Sequence, residues 1–221
     1  METKTGTIAV LGGTGALGSG IAYRLARAGH RVIVGSRDAA RAAEAAEAFN
    51  ARVGRQACEG ALNRDAAAGA DLVILAVPYA THDALVEEIA GVVGGKIVVD
   101  TTVPLVPPKV SVTHVLETGS AAARAQKALG DGAKVVSALQ NVAADKLASD
   151  EPVECDILVT SDDAGARSVV AGLIGQMGLR AIEAGPLANS IVAEALTSVL
   201  IGLNRRLKVP GAGIRITGIP G

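Results

Sequence analysis

The sequence contains very few aromatic residues. Its 221 residues include two tyrosines, one phenylalanine and no tryptophan, so a platform for stacking nucleic-acid bases is not expected. The 21 basic and 22 acidic side chains give a formal net charge of -1, which excludes the basic surface typical of nucleic-acid-binding proteins. We therefore expect no nucleic-acid partner.

Cysteine and long apolar runs are also scarce. The two cysteines, Cys58 and Cys155, are too few for a disulfide scaffold, and neither lies at metal-ligand spacing. We interpret both as ordinary apolar residues and expect no metal site. No apolar run approaches about 18 residues, and the N-terminus lacks the apolar stretch of a signal peptide. These absences predict no membrane span and a cytoplasmic location.

The composition suits a packed α/β domain. Hydrophobic residues make up 49% of the chain and charged residues 19%, so a core can be buried. Short apolar runs alternate with Ala-rich helical stretches, which predicts a doubly wound, mostly parallel sheet of the Rossmann type with a small C-terminal α/β extension. The predicted strands cover residues 7–11, 31–35, 55–58, 71–77, 96–99, 134–139, 155–160 and 179–182, and the predicted helices cover 16–28, 39–49, 81–93, 121–129, 164–176 and 189–207.

The organisation of the chain follows from this pattern. We divide it into a dinucleotide-binding domain of residues 1–140 and a smaller C-terminal part of residues 141–221. The last helix is apolar nearly all round its axis, which is typical of a helix that is buried in its domain or in a subunit interface. We expect the second arrangement, a homodimer built partly on this helix.

A glycine-rich loop is the strongest motif. It follows the first predicted strand and opens a helix, and its residues are Gly13, Thr14, Gly15, Ala16, Leu17 and Gly18. In this pattern one glycine makes a tight turn, one lets the backbone approach a pyrophosphate, and one lets helix and strand pack closely. The N-terminus of the helix offers free N–H groups to the anion. The loop therefore predicts a dinucleotide site.

The end of the second strand indicates which dinucleotide binds. NAD-dependent enzymes place an acidic residue there to bind the ribose 2′-hydroxyl, but this sequence has Ser36 and Arg37, and its first acid is Asp38. Arg41 lies one helical turn beyond Arg37, so both guanidinium groups can face one phosphate. Ser36, Arg37 and Arg41 therefore predict NADP(H) rather than NAD(H).

Several segments together resemble a known family. Residues 8–20 and 34–37, Val135-Val-Ser-Ala-Leu139, Ala184-Gly-Pro-Leu-Ala-Asn189, and residues 201–204 and 213–218 are similar to the oxidoreductases that link NADP to coenzyme F420, an 8-hydroxy-5-deazaflavin. The resemblance covers essentially the whole chain, and the Gly-Pro-Leu-Ala-Asn segment is its most specific part. It implies an enzyme that transfers a hydride reversibly between NADP(H) and coenzyme F420.

The resemblance also implies roles for particular residues. It assigns the wall beside the ribose and nicotinamide to Val77, Pro78 and Tyr79, the loop approached by the deazaflavin to Val103 and Pro104, and the segment that holds the deazaflavin to Gln140, Asn141 and Val142. The C-terminal part would complete this pocket. The sequence departs from the family pattern at Gln140, where His is expected, and at Ala143, where Pro is common.

No side chain is assigned a catalytic role, because hydride transfer between two rings needs no nucleophile and the coenzymes carry the chemistry. His82 and His114 are candidates for general acids, but we favour structural roles for both. Two alternatives stay open: an NADPH-dependent flavin or imine reductase on the same scaffold, and a non-catalytic NADP sensor. Many imine reductases carry a large helical C-terminal domain, for which this chain is too short.

Overall fold

A computed structural model of the chain describes residues 6–219. The strands, numbered in chain order, are β1 Thr7–Leu11, β2 Arg31–Ser36, β3 Cys58–Leu62, β4 Leu72–Leu75, β5 Ile97–Asp100, β6 Lys134–Ser137, β7 Asp156–Val159 and β8 Arg180–Glu183. The helices are α1 Ala16–Arg27, α2 Ala39–Val53, α3 Asn63–Gly69, α4 Tyr79–Ile89, α5 Ala121–Leu129, α6 Ala144–Ala148, α7 Ala164–Gln176 and α8 Ser190–Leu207.

The first six strands form one parallel sheet in the order β3-β2-β1-β4-β5-β6. This order confirms the Rossmann-type fold that the sequence predicts. Along β1, Ile8 and Val10 belong to the core on one face of the sheet, and Ala9 and Leu11 belong to the core on the other. Helices cover both faces, which explains why the central strands are continuously apolar rather than alternating.

Two short helices were not predicted, and several boundaries differ. Helices α3 and α6 span seven and five residues, too few to show a helical period in sequence. Strand β3 begins at Cys58, three residues later than predicted, and α4 begins earlier, at Tyr79. Pro78 precedes α4 as its N-cap residue, where a missing N–H group costs no helical hydrogen bond.

The C-terminal part attaches to the sheet at two places. Strands β7 and β8 form a separate two-stranded parallel sheet, and Ser137 at the end of β6 exchanges two backbone hydrogen bonds with Thr160. On the other side α6 packs against α1, where the buried Arg24 guanidinium donates to five backbone carbonyls between residues 146 and 177. These contacts fix the C-terminal part against α1 and β6.

Polar side chains connect helix α8 to the part of the fold that contains the six-stranded sheet. Ser190 Oγ hydrogen-bonds to Ser120 Oγ, the Glu194 carboxyl group accepts from the first N–H groups of α5, and Thr197 Oγ1 donates to the Gln140 carbonyl. By length and composition alone, Leu187–Leu207 could cross a membrane, with a mean hydropathy of 1.4. One such helix is weak evidence of a membrane span, and polar residues interrupt its apolar sequence.

Candidate functional site

A cleft of about 650 Å³ opens at the carboxyl ends of β1, β4, β5 and β6. In doubly wound sheets this edge is where ligands bind. Of the residues singled out in the sequence, the cleft is lined by Gly15, Ala16, Leu17, Val77, Pro78, Tyr79, Val103, Gln140, Asn141 and Val142. The structure therefore brings the glycine loop and three later strand ends together around one space.

The glycine loop is fixed by close backbone contacts. Gly12 has a φ of +75°, and a Cβ there would lie 2.5 Å from the Ala76 carbonyl oxygen. A Cβ on Gly18 would lie 2.3 Å from the Gly12 carbonyl oxygen, so only glycine lets α1 pack this closely against the loop. Gly15, the N-cap residue of α1, is exposed, and within residues 6–219 no side chain caps this helix. The N–H groups of its first turn are thus available to a pyrophosphate.

The end of β2 lies directly beside this loop, because the N–H groups of Gly12 and Gly13 both donate to the Gly35 carbonyl. Ser36 is buried at the strand end, while Arg37 and Arg41 are exposed. Asp38 caps α2, and its carboxylate accepts from the N–H groups of Ala40 and Arg41. This first acidic side chain after β2 is therefore engaged through its Oδ1 in the cap of α2, which favours a 2′-phosphate over a 2′-hydroxyl.

Three residues that line the cleft carry buried polar atoms without a partner among the described residues. Gln140 is 4% exposed, and its amide nitrogen donates to the Asp100 carbonyl and to Ser137 Oγ, while its Oε1 has no partner among the described residues. Asn141 Oδ1 and Thr102 Oγ1 are likewise buried and have no partner among the described residues. Burial without a partner is costly, and N–H or O–H donors of a ligand in the cleft would satisfy these atoms once their side chains turn toward it.

Leu139 explains how these amides reach the cleft. Its φ of +71° is unusual for a residue with a side chain, and its side chain is buried. The chain leaves β6 through this turn, and Gln140 and Asn141 then line the cleft. Backbone strain of this kind is often found at functional sites.

The structure also separates some of the predicted residues from the cleft and adds others. Pro104 is buried but does not line the cleft, whereas its neighbours Val103 and Leu105 do. Gly13, Thr14 and Gly18 support the loop from outside the lining. Sequence reasoning missed the contribution of α8 and the loops around it, namely Leu105, Pro107, Val110, Thr197, Leu200, Ile201, Asn204 and Ala212. The resemblance in residues 201–204 was a signal for Ile201 and Asn204, and the other six became evident from the assembled fold.

The cleft is poor in groups for acid–base chemistry. Among its lining residues only Tyr79 carries an ionisable side chain. Within residues 6–219 no group of three or more His, Cys, Asp or Glu side chains could hold a metal ion. His114 is exposed and does not line the cleft, and His82 is buried behind it. The cleft therefore offers binding and exclusion of water rather than a nucleophile or a general base.

An ionisable group is also buried on α8, the helix that contributes lining residues to the cleft. Glu194 is 2% exposed, and burial raises the pKa of its carboxyl group to about 7, although hydrogen bonds from the N–H groups of Ala121 and Ala122 act in the opposite direction. The negative charge of Asp100 also raises this pKa. Both protonation states of Glu194 are accordingly accessible near neutral pH.

This combination of fold and site defines a dinucleotide-dependent oxidoreductase of the Rossmann class. A family model described as "NADP oxidoreductase coenzyme F420-dependent" matches residues 7–104. The F420-dependent NADP reductase of Methanothermobacter thermautotrophicus is 44% identical, covering 96% of this chain and 95% of that protein. The enzyme of the same name from Methanocaldococcus jannaschii is 42% identical, covering 96% and 98%. The chain belongs to the family of coenzyme F420-dependent NADP oxidoreductases.

Solved structures agree with this assignment. An Arthrobacter protein proposed to be an F420-dependent NADP reductase is 30% identical, with a TM-score of 0.80, and the match covers 95% of this chain and 98% of that one. A reductive aminase from Aspergillus terreus is 21% identical with a TM-score of 0.63, and the match covers 93% of this chain but only 63% of the aminase. The second likeness shows a shared fold alone.

Proposed function

We propose that the large cleft is where this oxidoreductase, which acts on NADP(H) and coenzyme F420, holds the two coenzymes for hydride transfer. The observation that carries the proposal is that one apolar cleft is lined both by the start of a helix without a side-chain cap and by three residues that each carry a buried polar atom with no partner among the described residues. The first suits a pyrophosphate and the second suits the polar edge of a ring. The cleft volume of about 650 Å³ leaves space for two facing rings.

The NADP(H) side is assigned to the loop and to the end of β2. The N–H groups at the start of α1 bind the pyrophosphate, while Ser36, Arg37 and Arg41 bind the 2′-phosphate through charge-assisted hydrogen bonds. The residues after β4, Val77, Pro78 and Tyr79, form the wall beside the ribose and the nicotinamide. This wall is largely apolar, so it orients the ring by shape and excludes water.

The deazaflavin side is assigned to the ends of β5 and β6. Gln140 Oε1 and Asn141 Oδ1 are acceptors without partners among the described residues, and they suit the N–H group on the pyrimidine edge of the deazaflavin. Because the Gln140 nitrogen is already bound to the Asp100 carbonyl and Ser137 Oγ, glutamine at this position presents an oxygen to the ligand. The departure from the family's histidine therefore still leaves a group that can bind the ring.

The bound pair supplies the chemistry, which is transfer of a hydride from C4 of the nicotinamide to C5 of the deazaflavin, with uptake of one proton, or the reverse. The protein's contribution is to hold the rings at about 3–3.5 Å in a dry cleft. The residues lining this cleft include no acid or base other than Tyr79, which agrees with a role in positioning rather than in proton transfer.

We further propose that two copies associate through α8. Val192, Val199 and Leu207 on this helix are 57%, 51% and 58% exposed, and Val112 and Val115 in the loop between β5 and α5 are also exposed. Large apolar side chains gathered on one helix indicate an interface in a monomer of this size. The homodimer, the domain boundary at residue 140 and the cytoplasmic location expected from the sequence stay predictions.

A direct assay tests the activity. The purified protein is mixed with NADPH and oxidised coenzyme F420, and the loss of deazaflavin absorbance is followed, with FMN and a cyclic imine as alternative acceptors. We expect reduction of coenzyme F420 alone. Reduction of FMN or the imine instead would favour the alternative reductases, and NADPH binding without any reduction would favour an NADP sensor.

A bulky side chain at residue 142 tests the location of the deazaflavin. Val142→Trp should fill the space that the second ring needs and lower coenzyme F420 reduction by roughly a hundredfold or more, while NADPH still binds. Val142 also packs in the core, so Ala143→Trp, at a half-buried lining position, serves as a second variant. Val169→Trp on the exposed face of α7 is the matched control. Wild-type reduction in both folded cleft variants would place the deazaflavin elsewhere.

A further inference from the structure

Asp100 joins two walls of the cleft. It is the last residue of β5, and its side chain is fully buried. Its Oδ1 accepts from the backbone N–H of Thr102 at 2.9 Å, and its backbone carbonyl accepts from Gln140 Nε2 at 2.8 Å. Thr102 and Gln140 both line the cleft, and each carries a buried polar atom that has no partner among the described residues. The position of the wall that contains Thr102 relative to the wall that contains Gln140 therefore depends on the contacts that fix Asp100.

His82 holds the remaining carboxylate oxygen. Its side chain is fully buried in α4, and its Nε2 lies 2.7 Å from Asp100 Oδ2. With this contact, both carboxylate oxygens of Asp100 are engaged, one by the cleft wall and the other by α4. His82 itself does not line the cleft, so it acts on a bound ligand through the elements it joins, namely Asp100 of β5 and α4, whose first residue Tyr79 lines the cleft.

The geometry points to His82 as a positioning residue for hydride transfer: by fixing the Asp100 carboxylate, it sets the register between the Thr102 and Gln140 walls that enclose the deazaflavin. This inference rests on the proposed function of the cleft. A displacement of either wall by about 1 Å would move the rings away from the reacting distance, which costs far more in rate than in binding. His82 therefore acts on catalysis without touching either coenzyme.

The surroundings of the imidazole leave it one strong partner. Its Nδ1 has no hydrogen-bond partner among the described residues, and the nearest charge on that side, Asp83 Oδ1 at 3.5 Å, is paired with Arg124 of α5. A cavity of about 200 Å³ beside the ring is lined also by Glu87. Burial lowers the pKa of His82, but the hydrogen bonds and charges of Asp100 and Asp83 outweigh it and raise the pKa above its ordinary value.

Two amide substitutions separate positioning from simple loss of structure. The amide nitrogen of glutamine reaches the place of Nε2, so His82→Gln keeps a donor to Asp100. The shorter side chain of His82→Asn reaches only the place of Nδ1, on the Asp83 side, so that donor is lost. Both variants bury a neutral amide in the same site, and each therefore serves as the other's control. His82→Leu removes the donor outright.

The measurements are kcat and KM for coenzyme F420, the Kd for NADPH, and the thermal midpoint of each variant. We expect kcat to fall roughly tenfold or more in His82→Asn and His82→Leu, and to stay within about threefold of wild type in His82→Gln. The Kd for NADPH should change by less than about twofold, because its phosphate contacts are remote.

The inference is overturned by equal kcat values in the Gln and Asn variants, or by losses of kcat that simply parallel losses of NADPH binding and thermal midpoint. Should His82→Leu fail to fold, the Gln and Asn pair still decides the question. An inactive wild-type protein would contradict the proposed function itself, whereas an active wild type with insensitive His82 variants would contradict only the positioning role.

Discussion

The buried carboxyl group of Glu194 makes the stability of this protein depend on pH in a direction that can be stated in advance. Glu194 lies on α8 and accepts hydrogen bonds from Ala121 and Ala122 at the N-terminus of α5. Burial raises its pKa from an ordinary 4.5 to about 7. The folded protein therefore keeps a proton on this group in a pH range in which the unfolded chain has lost it.

The sign of the effect follows from proton linkage. Where the folded state binds more protons than the unfolded state, the free energy of unfolding falls as pH rises. The full stability is present below pH 4.5, and it is lost as pH rises to about 7. At about 1.4 kcal/mol for each pKa unit, the loss amounts to about 3 kcal/mol. Replacing Glu194 by glutamine, which cannot ionise, should remove this loss.

The test is urea unfolding of wild type and Glu194→Gln at several pH values between about 5 and 8. We expect the free energies of the two proteins to diverge by about 2–3 kcal/mol across this range, with the wild type falling relative to the variant. The carboxylates of Asp150, Asp163 and Glu183 have pKa values that are lowered by their partners. Their contribution to the free energy of unfolding is lost only at lower pH, so it does not affect the comparison between about pH 5 and 8.

His82 must be treated separately, because its raised pKa also makes stability fall as pH rises above about 6.5. That contribution is present in both proteins and cancels in their difference, apart from the attraction between the two charges by which His82 lowers the pKa of Glu194. Glu47→Gln, at an exposed position on α2, is the matched control and should leave the wild-type curve unchanged. A constant difference between wild type and Glu194→Gln over the whole range would refute the reasoning.

Two further predictions follow from the surface of the molecule. Arg37→Ala should raise the KM for NADPH by roughly ten- to a hundredfold and leave NADH use nearly unchanged, because it removes charge-assisted hydrogen bonds worth about 1.5–3 kcal/mol. Arg31→Ala, at the opposite end of β2, is the control. Equal losses for both coenzymes would contradict the assignment of Arg37 to the 2′-phosphate. Val199→Lys on α8 should lower the mass measured by light scattering from that of a dimer to that of a monomer, whereas Val169→Lys on α7 should not. A monomeric wild type would contradict the dimer.

Much of the fold is visible in the sequence because its central strands are short, apolar and separated by helical stretches. The run beginning at Leu72 is buried on both faces, so it stays apolar at every position. The glycine loop is equally visible, since Gly12 and Gly18 meet steric limits that no other residue satisfies. Helix α3 escaped prediction because seven residues carry no clear period, and it became evident only from its packing against the sheet.

The site was harder to predict where it depends on contacts between distant residues. Residues of α8 such as Leu200 and Thr197 line the cleft, but a helix that is apolar all round does not reveal which face meets a ligand. His82 looked like an ordinary histidine because its partner lies 18 residues away on another element. Only the assembled fold shows that this partner, Asp100, also binds the cleft wall.

The preference for NADP(H) depends on the role of Asp38 as a helix cap as well as on Arg37 and Arg41. In the sequence Asp38 is the first acid after β2, and an acid near this position could in principle bind a ribose hydroxyl. In the structure its carboxylate caps α2 through the N–H groups of Ala40 and Arg41, and a cap of this kind stabilises a helix by about 1 kcal/mol. Turning Asp38 toward a ribose would break that cap. Loss of Arg37 should therefore weaken NADPH binding without creating a site for NADH, which agrees with the unequal effect expected for Arg37→Ala.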